Sequence, residues 1–184
     1  MNSENQKMVN LKTLGLCVAI IILPFATPGF CTITTWTEGN YTVGLGAEYD
    51  IVSIQNDVTL SILAGGKINE LRASGSTIAD MSGGILNVLI ASATSTTNLN
   101  GGTIGTVVAV ENTVHVYGKQ FEFTPELNNP LRGVLTGLWE DNIAFSMNIR
   151  DCSIGEDVIL HEIPEPMSLA LFAIGLGLFR KNIR

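Results

Sequence analysis

Apolar and polar positions recur along the middle of this chain with a spacing of eighteen residues. The pairs Gly65-Gly66, Gly83-Gly84 and Gly101-Gly102 carry the period, and the residues between them fall into columns. Leu63, Met81 and Leu99 form one apolar column; Ile68, Leu86 and Ile104 form another; Leu71, Leu89 and Val107 a third. Ala73, Ala91 and Ala109 make a small-residue column, and Leu60, Ile78, Thr96 and Val114 an imperfect apolar one. A period near twenty with glycine turns and many Thr, Ser and β-branched residues predicts a β-solenoid, in which each repeat is one coil and like residues stack along the axis. Helical repeats fit poorly, because a helical hairpin needs more than eighteen residues and each glycine pair would cost about 2 kcal/mol of helix propensity relative to alanine. The glycines instead supply positive φ where the chain turns.

The three coils over 63–116 are clear, and a degenerate one covers 45–62. The pattern is not that of the hexapeptide helix, since steps of six from Ile68 meet Ser74 and Asp80, nor of the calcium-binding nonapeptide, since Asp is missing after each glycine pair. Beyond Val116 the period gives way to alternating runs such as VHVY, FEF, VLTGLW, IAFSMNI and VILHEI, with turns at Asn128-Asn129-Pro130 and Glu140-Asp141-Asn142. Those runs predict antiparallel strands that cap the open solenoid end over 117–163, with Phe121, Phe123, Trp139 and Phe145 as the cap's core. Trp36, Tyr41 and Tyr49, in an N-terminal cap and degenerate coil over 32–62, are placed to close the other end.

Both termini are apolar in a different way. Lys7 and Lys12 precede the stretch Leu14 to Leu23, and Pro24 with small residues up to Gly29 follows, which reads as a secretory signal peptide over 1–31. Met8 is an alternative start, and cleavage after Gly29 and after Cys31 are both compatible with the residues. No lipoprotein-type box precedes Cys17 or Cys31, because Leu16 and Phe30 stand where a small residue is needed. At the other end Pro164, Glu165 and Pro166 fix an extended segment, an apolar run extends from Met167 to Phe179, and Arg180, Lys181 and Arg184 form a basic stop suited to the cytoplasmic side. The apolar run amounts to about 20 Å of helix against a hydrocarbon core of about 30 Å, so snorkelling by Arg180 and Lys181 and local thinning are needed for it to span. A buried helix of a soluble domain is the competing reading; Gly175 and Gly177 weaken it, as does the lack of a polar face.

The order and position of those three parts over 164–184 resemble the PEP-CTERM sorting tails of exported bacterial proteins. The resemblance implies recognition and cleavage near the triplet by an exosortase-like sorting protease, transient anchoring in the inner membrane, and an end in the envelope or extracellular matrix in association with exopolysaccharide or biofilm. Glycine-pair columns followed by a short β-rich segment are also similar to parts of some proteins that carry this tail.

Over 32–163 fifteen Asp and Glu stand against five Lys and Arg, a balance of −10. Such a surface repels phosphate, which argues against nucleic acid as a partner. Cys31 and Cys152 can form a disulfide only if cleavage falls before Cys31; otherwise Cys152 is a lone thiol, read as a small buried hydrophobe.

No catalytic, cofactor or metal constellation emerges. His115 and His161 are far apart and read as separate surface strand residues, and His161-Glu162 lacks the second histidine of a zinc protease motif. Asp57, Glu70, Arg72 and Asp80 fall in different columns and read as a solvated face. Thr59, Thr77, Ser95 and Thr113 would make an outward hydroxyl ladder if Ile78 points inward. The expectation is an all-β, non-enzymatic exported protein: a short β-solenoid of eighteen-residue coils and a small antiparallel cap, flanked by a signal helix and a membrane helix. The alternative is a carbohydrate-binding or carbohydrate-cleaving β-helix protein.

Overall fold

The glycine-pair period becomes the repeat of a parallel stack. A computed structural model describes residues 31–111 and 113–164, and every regular element in them is a β-strand. In chain order these are β1 (Ile33–Val43), β2 (Glu48–Ile62), β3 (Lys67–Ser74), β4 (Ile78–Ser92), β5 (Thr96–Val110), β6 (Thr113–Glu126), β7 (Asn129–Leu138), β8 (Ala144–Arg150) and β9 (Val158–Glu162). The signal segment over 1–30 lies outside the described residues, as do Glu165, Pro166, the apolar run and the basic stop. Pro164 is described and exposed. Among the described residues no helix is long and apolar enough to cross a membrane.

From β1 to β6 each coil pairs in parallel with the next. The inward column Val52, Leu71, Leu89, Val107 and Ile149 is in register along the stack, and each of its members is fully buried. Beside it run Ile54, Ala73, Ala91 and Ala109, all buried. One coil cannot bury its own inward face, so its neighbours must; burying each Leu or Ile stabilises the stack by about 1.5–3 kcal/mol.

The register is not a uniform eighteen, and this shifts two columns. Ile62, not Leu63, aligns with Met81 and Leu99, and Leu63 is largely exposed. The cause is the corner between Ile62 and Lys67, which spans residues 63–66, one residue more than the corner 82–84 between Met81 and Ile85. As a result Thr59 pairs with Ile78, which pairs with Thr96; a second change, a link from Val110 to Thr113 one residue shorter than that from Ser92 to Thr96, then sets Thr96 against Thr113. Ile78 faces outward, while Thr77 and Ser95 are 1% and 2% exposed, so the proposed hydroxyl ladder does not form. The inward column is instead Leu60, Ala79, Thr97 and Val114.

Gly65, Gly84 and Gly102 have positive φ, one in each pair. Their partners serve another purpose. A Cβ at Gly66 would stand 2.5 Å from the carbonyl oxygen of Val43, so the backbone of one coil touches the corner of the next too closely for any side chain.

The antiparallel strands expected as a terminal cap are an excursion within the stack. The chain leaves along the second half of β6, returns antiparallel as β7, and turns again into β8. Thereafter β8 lies parallel on β5, with Thr106, Val107 and Val108 opposite Asn148, Ile149 and Arg150, and β9 lies parallel on β6 from Val114 to Gly118. The excursion thus rejoins the solenoid and adds a final coil that covers edges which would otherwise expose unpaired backbone groups. Trp139 stacks on Phe145 at 4.1 Å and its Nε1 donates to the carbonyl oxygen of Gly102 at 3.0 Å, seating the excursion on a glycine corner. Buried Lys119 holds the 140–142 turn through the carbonyl oxygen of Glu140 and Oδ1 of Asn142.

At the opposite end Trp36, Tyr41 and Tyr49 continue inward columns through their pairing with Ile54, Leu60 and Ile68. Trp36 and Tyr41 stack at 4.2 Å and 7°, with Tyr49 edge-on to Trp36 at 5.7 Å. Together these rings pack against the first core residues.

Candidate functional site

Along the outer surface the stack aligns polar residues into two ladders. In the first, Asn69 Nδ2 donates to Asp50 Oδ1 at 3.1 Å and Asn87 Nδ2 donates to Asn69 Oδ1 at 3.0 Å, while Asp50 also accepts from the Thr32 amide. Asn69 lies between the inward positions Ile68 and Leu71, with Asp50 and Asn87 at the equivalent places of the neighbouring strands, and an amide can serve as donor and acceptor on successive rungs.

The second ladder carries more chemistry. Asp80, Asn98 and His115 occupy successive rungs of one column, and Asn98 Nδ2 donates to Asp80 Oδ1 at 2.7 Å. On β6 the inward neighbours Val114 and Val116 are fully buried, which turns His115 and Tyr117 outward by strand alternation. The return strand β9 sets Ile159 opposite His115 and His161 opposite Tyr117. His161 stacks on Tyr117 at 4.5 Å and 12°, and reaches diagonally so that its Nε2 lies 2.8 Å from Nδ1 of His115. One ring donates and the other accepts, so the two imidazoles share a single hydrogen. Burial holds the His115 pKa below its ordinary value, and the neighbouring His161 adds to the effect.

The two histidines, read from sequence as unrelated, are therefore one group. Asp80 and Asn98 are eighteen residues apart and follow from the coil period, whereas His115, seventeen beyond Asn98, joins the column only because the link from Val110 to Thr113 is one residue shorter than that from Ser92 to Thr96. The place of His161 depends on the return of β9, which no local pattern announces.

The other singled-out residues separate. Arg72 bonds Glu70 on its own strand, Asp80 belongs to the Asn98 ladder, and Asp57 is exposed beside Glu38 of β1. Cys31 and Cys152 are both free thiols, Cys31 exposed and Cys152 buried with its Sγ 4.0 Å from the Val107 carbonyl oxygen. Burial pushes the Cys152 thiol pKa up, and Asp157 and Asp151 act in the same direction against backbone hydrogen bonds from Ala109 and Arg150. A shallow groove runs along the glycine corners between Gly46 and Ile85, flanked by the Glu48–Lys67 ion pair. Among the described residues no group of three or more His, Cys, Asp or Glu is placed to hold a metal ion, so the histidine pair offers two donors and no third.

No family model, no curated protein and no solved structure matches the chain.

Proposed function

We propose that this is an exported, non-enzymatic component of the cell envelope or extracellular matrix, delivered by its leader and released by an exosortase-like protease acting at its tail. The observation that carries the reading is the order of parts at the C-terminus: Pro164-Glu165-Pro166, an apolar run from Met167 to Phe179, then Arg180, Lys181 and Arg184. Those parts are set out for an extended recognition segment, a lipid-facing run and a cytoplasmic stop. The acidic balance of the intervening residues and their rod of hydrogen-bonded coils suit a durable surface component. Association with exopolysaccharide is the partner class that the tail's resemblance implies. An inner-membrane stage precedes release.

Mass spectrometry of the protein from its native host, after fractionation of cytosol, inner membrane, envelope and medium, tests the reading. The expected product begins near residue 30–32, ends near the Pro164 triplet and appears outside the inner membrane. An intact chain with both apolar ends in the cytosol would refute it.

A further inference from the structure

The histidine pair has the spacing of two ligands on a metal ion as well as that of a hydrogen bond. Two donors in cis positions of a square-planar or tetragonal ion, each about 2.0 Å from it, stand about 2.8 Å apart, whereas on a tetrahedral ion they stand about 3.3 Å apart. Nδ1 of His115 and Nε2 of His161 are 2.8 Å apart. A hydrogen bond between the rings sets that separation, so it does not choose among ions; of the ions that two imidazole nitrogens suit, copper(II) binds nitrogen donors most tightly.

Four features favour such an ion here. The two side chains stand on strands β6 and β9, whose backbones pair from Val114 to Gly118, so their relative position is set by the ladder and not by loops. The ring of His161 lies against Tyr117 at an interplanar angle of 12°, which keeps it on the same side of the sheet as His115. The surface around the pair belongs to a segment with ten more acidic than basic residues, which raises the local concentration of cations. Both rings are half-buried, so an ion can reach them from solvent.

We propose that His115 and His161 form a chelating site for a tetragonal transition-metal ion, copper(II) above others, with water completing the coordination. On binding, the donor ring changes tautomer, its proton passing through solvent to its other nitrogen, and both facing nitrogens present lone pairs. The rings must turn so that their lone pairs converge on the ion instead of on each other, while the backbone pairing of β6 and β9 keeps its register. Oxidation state is unchanged and no redox step is involved. The site is separate from the delivery tail, so it stands or falls independently of tail processing.

The test is a copper(II) titration of the full chain carrying Cys31→Ser, which removes an exposed thiol able to reduce the ion, followed by electron paramagnetic resonance. One equivalent of copper is expected, with hyperfine structure from two imidazole nitrogens. His115→Ala should leave one nitrogen and weaken binding about tenfold or more, since the chelate becomes monodentate. His161→Phe preserves the stack on Tyr117 while deleting the nitrogen, and should give the same loss with an unchanged far-ultraviolet circular dichroism spectrum. A two-nitrogen signal that survives in the double variant, or the lack of stoichiometric copper binding by the parent, would overturn the proposal.

Discussion

Nδ1 of His115 and Nε2 of His161 lie 2.8 Å apart although 46 positions separate them in the chain. The contact exists because β9 rejoins the stack after the β7–β8 excursion and pairs with β6. It ties the last strand before Pro164 to the body of the solenoid through side chains as well as backbone.

Acid should loosen this contact. The folded state holds His115 below its ordinary pKa, so below about pH 6.5 the unfolded chain binds more protons than the folded one and stability falls as pH falls. The cost is absent above that pH and complete below the depressed folded pKa. With a chelator present to exclude metals, the ring signals of His115 in a nuclear magnetic resonance titration should move at a pH below the free-imidazole midpoint. In His115→Asn the fall in melting temperature between about pH 7.5 and about pH 5 should shrink. An unshifted midpoint with an unchanged fall would contradict the account.

The glycine corners should discriminate between close approach and backbone conformation. Gly84 and Gly155 both have positive φ, but a Cβ at Gly84 would stand 2.5 Å from the Gly66 carbonyl oxygen whereas at Gly155 it would meet nothing within 4 Å. Gly155→Ala should therefore cost about 1 kcal/mol from φ alone, and Gly84→Ala distinctly more, about 3 kcal/mol. Urea unfolding of the two variants measures the difference, and equal losses would show that the coils tolerate a side chain at the corner.

Thr97 sits in the inward column between Ala79 and Val114, 1% exposed, and its Oγ1 has no hydrogen-bond partner. Thr97→Val keeps the shape, removes the unpaired hydroxyl and matches the next rung. It should raise stability by about 1 kcal/mol. A loss of similar size in thermal unfolding would mean that the hydroxyl is bonded.

Cys152 should behave as an inert core residue. Its thiol is 1% exposed and burial raises its pKa, so a maleimide should label Cys31 in the folded protein and reach Cys152 only on unfolding. Peptide mapping after native labelling reads this directly, and rapid modification of Cys152 would count against the packing described.

The coil architecture was legible because stacking forces like residues into columns. The fully buried sets Ile68–Leu86, Leu71–Leu89–Val107 and Ala73–Ala91–Ala109 follow from spacing alone. Even spacing of the glycine pairs misplaces Leu63 and Thr59, because the corner before Lys67 holds an extra residue, and misplaces Thr113, because the link from Val110 to Thr113 is one residue shorter than that from Ser92 to Thr96. Counting from glycines cannot detect a change in corner length between them. The final coil was hidden for another reason: β8 and β9 lack a glycine pair and are separated from their partners by the excursion. The same gap concealed the histidine pair, whose two halves look like ordinary alternating strand residues until the fold brings them together.

After β7 the chain returns to its own parallel stack. Backbone nuclear Overhauser contacts in isotope-labelled protein test it most directly. The account predicts cross-strand contacts in parallel register between Val107 and Ile149 and between Val116 and Leu160. A spectrum in which β8 contacts only β7, and β9 has no contacts to β6, would contradict it and restore a separate terminal cap.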